Sequence, residues 1–172
     1  SEALSNLPAV LVTGGATRIG RSIVTSLAAK GYPVAIHANR SMDVASALAD
    51  LLRSDGARAC AVAADLMDVE QTDHLVATAG EALGEHVALL VNNASIFEYD
   101  GVEDFTQEDL EKHMRIHVTA PAQLTSRLAA RLPAGNDALV INMIDQRVKR
   151  LTPHFFTYTL SKAAQWTMTQ TM

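Results

Sequence analysis

Short apolar runs alternate along this chain with longer stretches whose apolar residues recur at helical spacing. The runs fall at Val10–Thr13, Val34–His37, Ala59–Ala63, Ala88–Asn92 and Leu139–Ile144, each the length of one strand. Between them Ile19, Ile23 and Leu27 form one helical stripe, and Val44, Leu48, Leu51 and Leu52 form a second. Val69, Val76 and Leu83 mark a third, weaker one. The segment from Thr106 through Leu132 opens on the capping sequence "TQED" and carries Pro121 inside, where a kink is expected. A last helix is expected over Tyr158 to Met172. Gly31, Gly56, Gly84, Gly101 and "PAGND" at Pro133–Asp137 punctuate the joints.

Strands alternating with helices of this length imply right-handed crossovers. The expected fold is therefore α/β: a doubly wound parallel sheet, Rossmann-like, covered on both faces. Strands buried on both faces should be continuous apolar runs, and "AVLV", "ALLV" and "LVIN" are. No repeat, linker or low-complexity tract interrupts the 172 residues, so residues 1–172 read as a single domain. The sequence stops inside an apolar helical stretch, "QWTMTQTM", and further C-terminal strands and a substrate loop are expected to be missing from it.

Composition narrows the partners. A net charge of −5 without a Lys/Arg cluster argues against nucleic acid. No apolar run approaches a membrane span and no basic-then-apolar leader opens the chain. The single cysteine, Cys60, has no internal partner, which favours a reducing compartment and a cytoplasmic protein. No histidine pairs with cysteine or carboxylate at metal-ligand spacing, so no metal is expected.

The chemistry begins at "TGGATRIG", Thr13 to Gly20, between the first strand and the first helix. Gly14 and Gly15 permit positive φ and close backbone approach, and Gly20 permits tight packing. The helix start, at Arg18 and Ile19, offers N–H groups to a pyrophosphate. The end of the second strand reads "HANRS" and has no carboxylate for a ribose 2′-hydroxyl. His37, Arg40 and Ser41 instead present donors suited to a 2′-phosphate, which favours NADP(H) over NAD. Asp65 and Leu66 follow the third strand, where Asp65 either meets the adenine amino group or caps a helix. Tyr158 and Lys162 stand one helical turn apart, so a cation can stabilise a phenolate on the same face.

A glycine turn after strand one, "NNAS" at Asn92–Ser95 after strand four, and Y-x-x-x-K after strand five together resemble the short-chain dehydrogenase/reductase family. The resemblance runs from about Pro8 onwards. It implies a nicotinamide coenzyme, hydride transfer with Tyr158 as proton donor, Lys162 on the nicotinamide ribose, and Asn93, Ala94 and Ser95 along the coenzyme. It also implies a homotetramer built on the helices of 106–132 and 158 onwards.

Four departures from the general pattern resemble the pteridine reductases and the related dihydromonapterin reductases. Arg18 stands in the glycine turn, Asp145 replaces the usual serine, His117 replaces an asparagine, and Phe97 follows "NNAS". The resemblance implies NADPH-dependent reduction of a dihydropterin, dihydromonapterin or dihydrofolate. Phe97 would stack on the pterin, or serve only as packing. Arg18 would bridge phosphates and heterocycle, or bind phosphate alone. Asp145 would bind the pterin amino group or pair with Tyr158. His117 enters a water relay or bonds a backbone carbonyl. The competing readings are a carbonyl or 3-oxoacyl reductase of the wider family, and a non-catalytic NADPH-binding sensor or partner subunit.

Overall fold

The computed structural model describes residues 6–144 and 152–172. Strands β1 (Ala9–Val12), β2 (Val34–Ala38), β3 (Ala59–Ala63), β4 (Val87–Asn92) and β5 (Leu139–Asn142) alternate with helices α1 (Arg18–Ala29), α2 (Met42–Ser54) and α3 (Val69–Leu83). Helices α4 (Gln107–Met114) and α5 (Ala120–Arg131) lie between β4 and β5, and α6 (Phe156–Thr169) follows β5. All strand pairs are parallel, in the order β3-β2-β1-β4-β5, with Val10 opposite Val34 and Leu89 in the central register. The order reverses beside β1. The carboxyl ends of β1 and β4 therefore diverge into the crevice where such sheets bind ligands.

Side chains alternate across the sheet, so each apolar strand feeds two cores. Leu11 and Leu90 point to one face, against Leu75, Leu83, Leu124 and Leu128 of α3 and α5. Val10, Val12 and Ile36 point to the other, against Val24, Leu48 and Leu52 of α1 and α2. Each fully buried leucine or isoleucine here stabilises the fold by about 1.5–3 kcal/mol. β5 departs from the expected continuous burial: among the described residues it is the last strand of the sheet and exposes Leu139 and Ile141. It also ends at Asn142, two residues short of the expected Ile144.

The expected kink at Pro121 takes a specific form. Proline has no N–H for the carbonyl four residues earlier, which is that of His117. Residues Arg115–Thr119 widen into a π-helical turn between α4 and α5, closed by Ala120 N–H to the Arg115 carbonyl. Arg115 then reaches sideways and donates from Nε to the Leu66 carbonyl at 2.8 Å, tying this turn to the end of β3.

Helix α6 is the unusual element. Its buried positions are Thr157, Tyr158, Thr159, Ser161, Lys162 and Gln165, a polar face turned inward. Burying polar groups requires partners for them. Thr157 finds its partner in Asp100 of the loop after β4, Ser161 in His117, and Lys162 in Gln165 and the Met143 carbonyl.

Candidate active site

The glycine turn is braced from three sides. Gly14 adopts φ +59°, in the left-handed region, whereas Gly15 does not. Gly15 is required for space instead: a Cβ there would lie 3.0 Å from Val24 and 3.2 Å from Ile36. At Gly20 a Cβ would fall 2.0 Å from the Gly14 carbonyl oxygen and 2.6 Å from Asn93 Nδ2. Asn93 itself donates from Nδ2 to that carbonyl at 3.0 Å. Thr13, at the end of β1, accepts the N–H groups of Asn93 and Ala94 on its hydroxyl, each at 3.0 Å. Thr13, expected only as the end of the first strand, locks the ends of β1 and β4 together.

His37 does a different job from the one its position suggests. It is buried, Gly14 N–H donates to its Nδ1 at 3.0 Å, and its Nε2 stands 2.8 Å from the Ala64 carbonyl. A nitrogen that accepts from an amide carries no hydrogen, so the ring is neutral, with Nε2–H donating to Ala64. Burial holds its pKa below the usual histidine value, against smaller opposing effects of the Ala64 carbonyl and Asp65. Both nitrogens are engaged within the protein. His37 thus supports the turn from beneath rather than offering a donor to a phosphate.

The start of α1 lies above that support. Thr17 provides no side-chain cap and the first turn carries no acidic residue. The first helical N–H with a backbone partner is that of Arg21, to Thr17. By contrast, Asp68 caps α3 and Thr106 caps α4 with side-chain oxygens. An uncapped helix start with its positive dipole end is a ready anion site.

A cavity of about 800 Å³ opens on this helix start. Its walls bring together Gly14, Arg18, Ile19 and Gly20 from the turn, Asn93, Ala94, Ser95 and Phe97 from the loop after β4, and Tyr158 and Lys162 from α6. Thr17, Ile96, Met143 and Ile144 also line it and were not singled out from sequence. Arg40, Ser41, Asp65 and Leu66 lie beyond this lining, at the carboxyl ends of β2 and β3. Arg40 is exposed and Ser41 half-buried, with a hydroxyl that does not cap α2. Asp65 accepts Met67 N–H at 2.9 Å while Asp68 provides the helix cap, and Leu66 is buried. Asp145 lies outside the described residues.

Within the cavity Tyr158 and Lys162 are almost fully buried, at 7% and 3% exposure. Lys162 Nζ donates to the Met143 carbonyl at 2.8 Å and to Gln165 Oε1 at 3.0 Å. Phe97 stands across from them, 58% exposed, with its ring edge-on to Tyr158 at 6.0 Å. A second aromatic, Phe155, supports Phe97 at 5.5 Å. His117 is completely buried and bonds two serine hydroxyls rather than a backbone carbonyl. Among the described residues, no group of three or more His, Cys, Asp or Glu is arranged to hold a metal ion, and no helix is long and apolar enough to cross a membrane.

Comparison with known proteins agrees with this geometry. A family model described as short chain dehydrogenase matches residues 8–172. The FolM alternative dihydrofolate reductase 1 of Brucella suis, solved in complex with NADP, superposes with a TM-score of 0.92 and 46% identity, covering 97% of this chain and 68% of that one. Its Brucella canis counterpart, also with NADP, gives 0.93 and 44%, covering 99% and 68%. A short-chain type dehydrogenase/reductase of Picea abies is 29% identical over 168 residues, covering 93% of this chain and 62% of the relative. The chain thus spans less than two thirds of the length of that curated relative. It belongs to the short-chain dehydrogenase family.

Proposed function

We propose that this short-chain dehydrogenase is an NADPH-dependent reductase of a reduced pterin, either a dihydropterin, a dihydromonapterin or a dihydrofolate. The observation that carries the reading is that one cavity gathers Arg18, Phe97 and the Tyr158–Lys162 pair above an uncapped helix start. Residues 1–172 then form a single NADP-binding catalytic domain. The residues present fit the coenzyme: the absence of a Cβ at Gly20 lets the Gly14 carbonyl and Asn93 pack against the uncapped helix start that would take the pyrophosphate, and Arg40 and Ser41 follow β2 in a stretch with no carboxylate to oppose a 2′-phosphate. NADPH, when bound, supplies the hydride.

The chain's own groups do the remaining work. The free N–H groups of Arg18, Ile19 and Gly20 and the Arg18 guanidinium neutralise phosphate charge. Phe97 offers an exposed aromatic face on which a flat heterocycle can stack. Tyr158 holds the proton delivered to the ring nitrogen next to the reduced carbon, and Lys162, one turn away, compensates the phenolate left behind. Asp145 is the proposed partner of the pterin amino group or of Tyr158. The similarity to two proteins described as alternative dihydrofolate reductases supports the substrate class. A cytoplasmic homotetramer, packed through α4, α5 and α6, belongs to the same proposal.

The test is NADPH consumption by the full-length protein against dihydrobiopterin, dihydromonapterin, dihydrofolate and a 3-oxoacyl ester, with NADH in parallel. Preferential turnover of a pterin with NADPH is expected. Turnover of the oxoacyl ester alone would reassign the protein as a carbonyl reductase, and tight NADPH binding without any turnover would make it a sensor or partner subunit.

A further inference from the structure

His117 lies in the π-helical turn behind the cavity wall, in contact with Ser95 and Tyr158 that line it, and its surroundings fix its hydrogen positions. Ile96 N–H points at Nε2 from 3.4 Å, so Nε2 bears a lone pair, and the Ser95 hydroxyl stands 2.8 Å from the same nitrogen as a second donor. The ring hydrogen is therefore on Nδ1, which stands 2.8 Å from Ser161 Oγ. Ser161 accepts it and passes its own hydrogen to the Tyr158 carbonyl at 2.9 Å. The one Nε2 lone pair is shared between Ile96 N–H and the Ser95 hydroxyl, whose oxygen also stands 3.4 Å from the Ile96 carbonyl. The chain of bonds runs from the loop carrying Ser95 and Phe97, through the imidazole, to the backbone of Tyr158.

The ring also touches the phenol directly. His117 meets Tyr158 edge-to-face, with centroids 5.4 Å apart and planes at 89°. The ring is completely buried, so water does not compete for these contacts. The charged or titratable groups that face it are Lys162 of α6 and His113 of α4, with Tyr158 against its plane. Burial first, then the Lys162 charge and His113, keep the ring neutral, with a pKa lowered to about 3.

We infer that His117 is a positioning residue: a neutral imidazole that spans the loop after β4 and helix α6, and so sets where the Tyr158 phenol stands relative to Phe97. This rests on the reading of the cavity as a reductase site. It assigns His117 neither a proton to transfer nor a backbone carbonyl to hold.

The test combines His117→Phe, which keeps an edge-to-face ring but removes both nitrogens, with Ser161→Ala, which removes only the link to α6. For whichever substrate the wild-type protein reduces, His117→Phe is expected to lower kcat at least tenfold. KM and the NADPH Kd should stay within about threefold. The double variant should be no slower than the slower single variant, because both changes cut one chain of bonds. Independent multiplicative losses, or a kcat unchanged in a folded His117→Phe or Ser161→Ala protein, would overturn the proposal. So would loss of NADPH binding in parallel with kcat.

Nitrogen-15 NMR of histidine-labelled wild-type protein tests the geometry without turnover. The His117 resonance should show the Nδ1–H tautomer, unchanged from pH 7 to pH 5, and the Nε2–H tautomer would refute the arrangement. A wild-type protein that reduces nothing in the panel would remove the functional reading, and the tautomer would then decide on its own.

Discussion

At the scale of single residues, Arg18 carries the clearest sign of a functional compromise. It is the one non-glycine residue with positive φ among those described, at 51°. The left-handed region costs an ordinary L-residue about 1–2 kcal/mol, and sequences normally place glycine there. Glycine gives back about 0.5–1 kcal/mol of this through its greater freedom when unfolded. Arg18→Gly should therefore leave thermal stability unchanged or raise it by up to about 1.5 kcal/mol. The same change removes a guanidinium from the cavity wall, and a charged hydrogen bond is worth about 1.5–3 kcal/mol. NADPH or pterin affinity should fall about 10- to 100-fold, measured by fluorescence titration beside a thermal melt. A variant that binds normally but melts earlier would show that Arg18 is merely structural. The sequence exposed this residue because an arginine interrupts a glycine turn. It did not expose His37, which sits among plausible phosphate donors and is distinguished from them only by burial.

At the scale of elements, the start of α6 decides how Tyr158 is held. Phe155 provides no side-chain cap for this helix. The cap comes instead from Asp100 in the loop after β4, whose carboxylate accepts Thr157 N–H at 3.0 Å and the Thr157 hydroxyl at 2.6 Å, both buried. Backbone bonds from Asp100 N–H to His154 and from Phe156 N–H to Asp100 complete the clasp. Asp100→Ala removes a cap worth about 1–2 kcal/mol and leaves a buried hydroxyl without its acceptor, at about 1–3 kcal/mol. A loss of roughly 2–4 kcal/mol in urea denaturation is expected, with Asp100→Asn falling between it and wild type. Equal stability of all three proteins would dismiss the clasp. The five strands were legible in sequence as short apolar runs, which burial on both faces explains for β1, β2 and most of β4 but not for the partly exposed β3 and β5, and the ends came within two residues. The clasp was not legible, since its partners lie far apart in sequence and a loop aspartate carries no periodicity. Pro121 announced a break but not its form. A missing N–H does not specify whether a helix bends or widens, and packing around His117 and Arg115 settles that. Tyr158 and Lys162 were singled out by their spacing and Phe97 by the family resemblance, whereas the polar inner face of α6 follows from contacts that no spacing records.

For the whole molecule, two buried neutral histidines predict how stability responds to acid. His37 and His117 both have pKa values held below the ordinary 6.5 by burial, His117 at about 3. In the unfolded chain each takes up a proton as pH falls through about 6.5, while in the folded protein each stays neutral until its own lower value is reached. The unfolded state then binds more protons, so stability must fall as pH falls through this window. Each histidine contributes at most about 1.4 kcal/mol per pH unit while that difference persists. The carboxylates with depressed pKa values, Asp68, Asp73 and Glu108, act in the same direction, but only below their ordinary values of 3.8 and 4.5. The interval from pH 6.5 to 4.5 therefore isolates the histidines. Urea midpoints measured across it should decline steadily in the wild-type protein, and His117→Phe should flatten that decline while lowering stability at pH 7.5. Protonation of His37 in the folded state would weaken NADPH affinity over the same interval, beside the loss from protonation of the coenzyme 2′-phosphate at about pH 6, because a protonated ring cannot accept the Gly14 N–H. A pH-independent urea midpoint between 6.5 and 4.5 would mean that both rings ionise as freely in the fold as in water, and would contradict their burial beneath the turn and beside Tyr158.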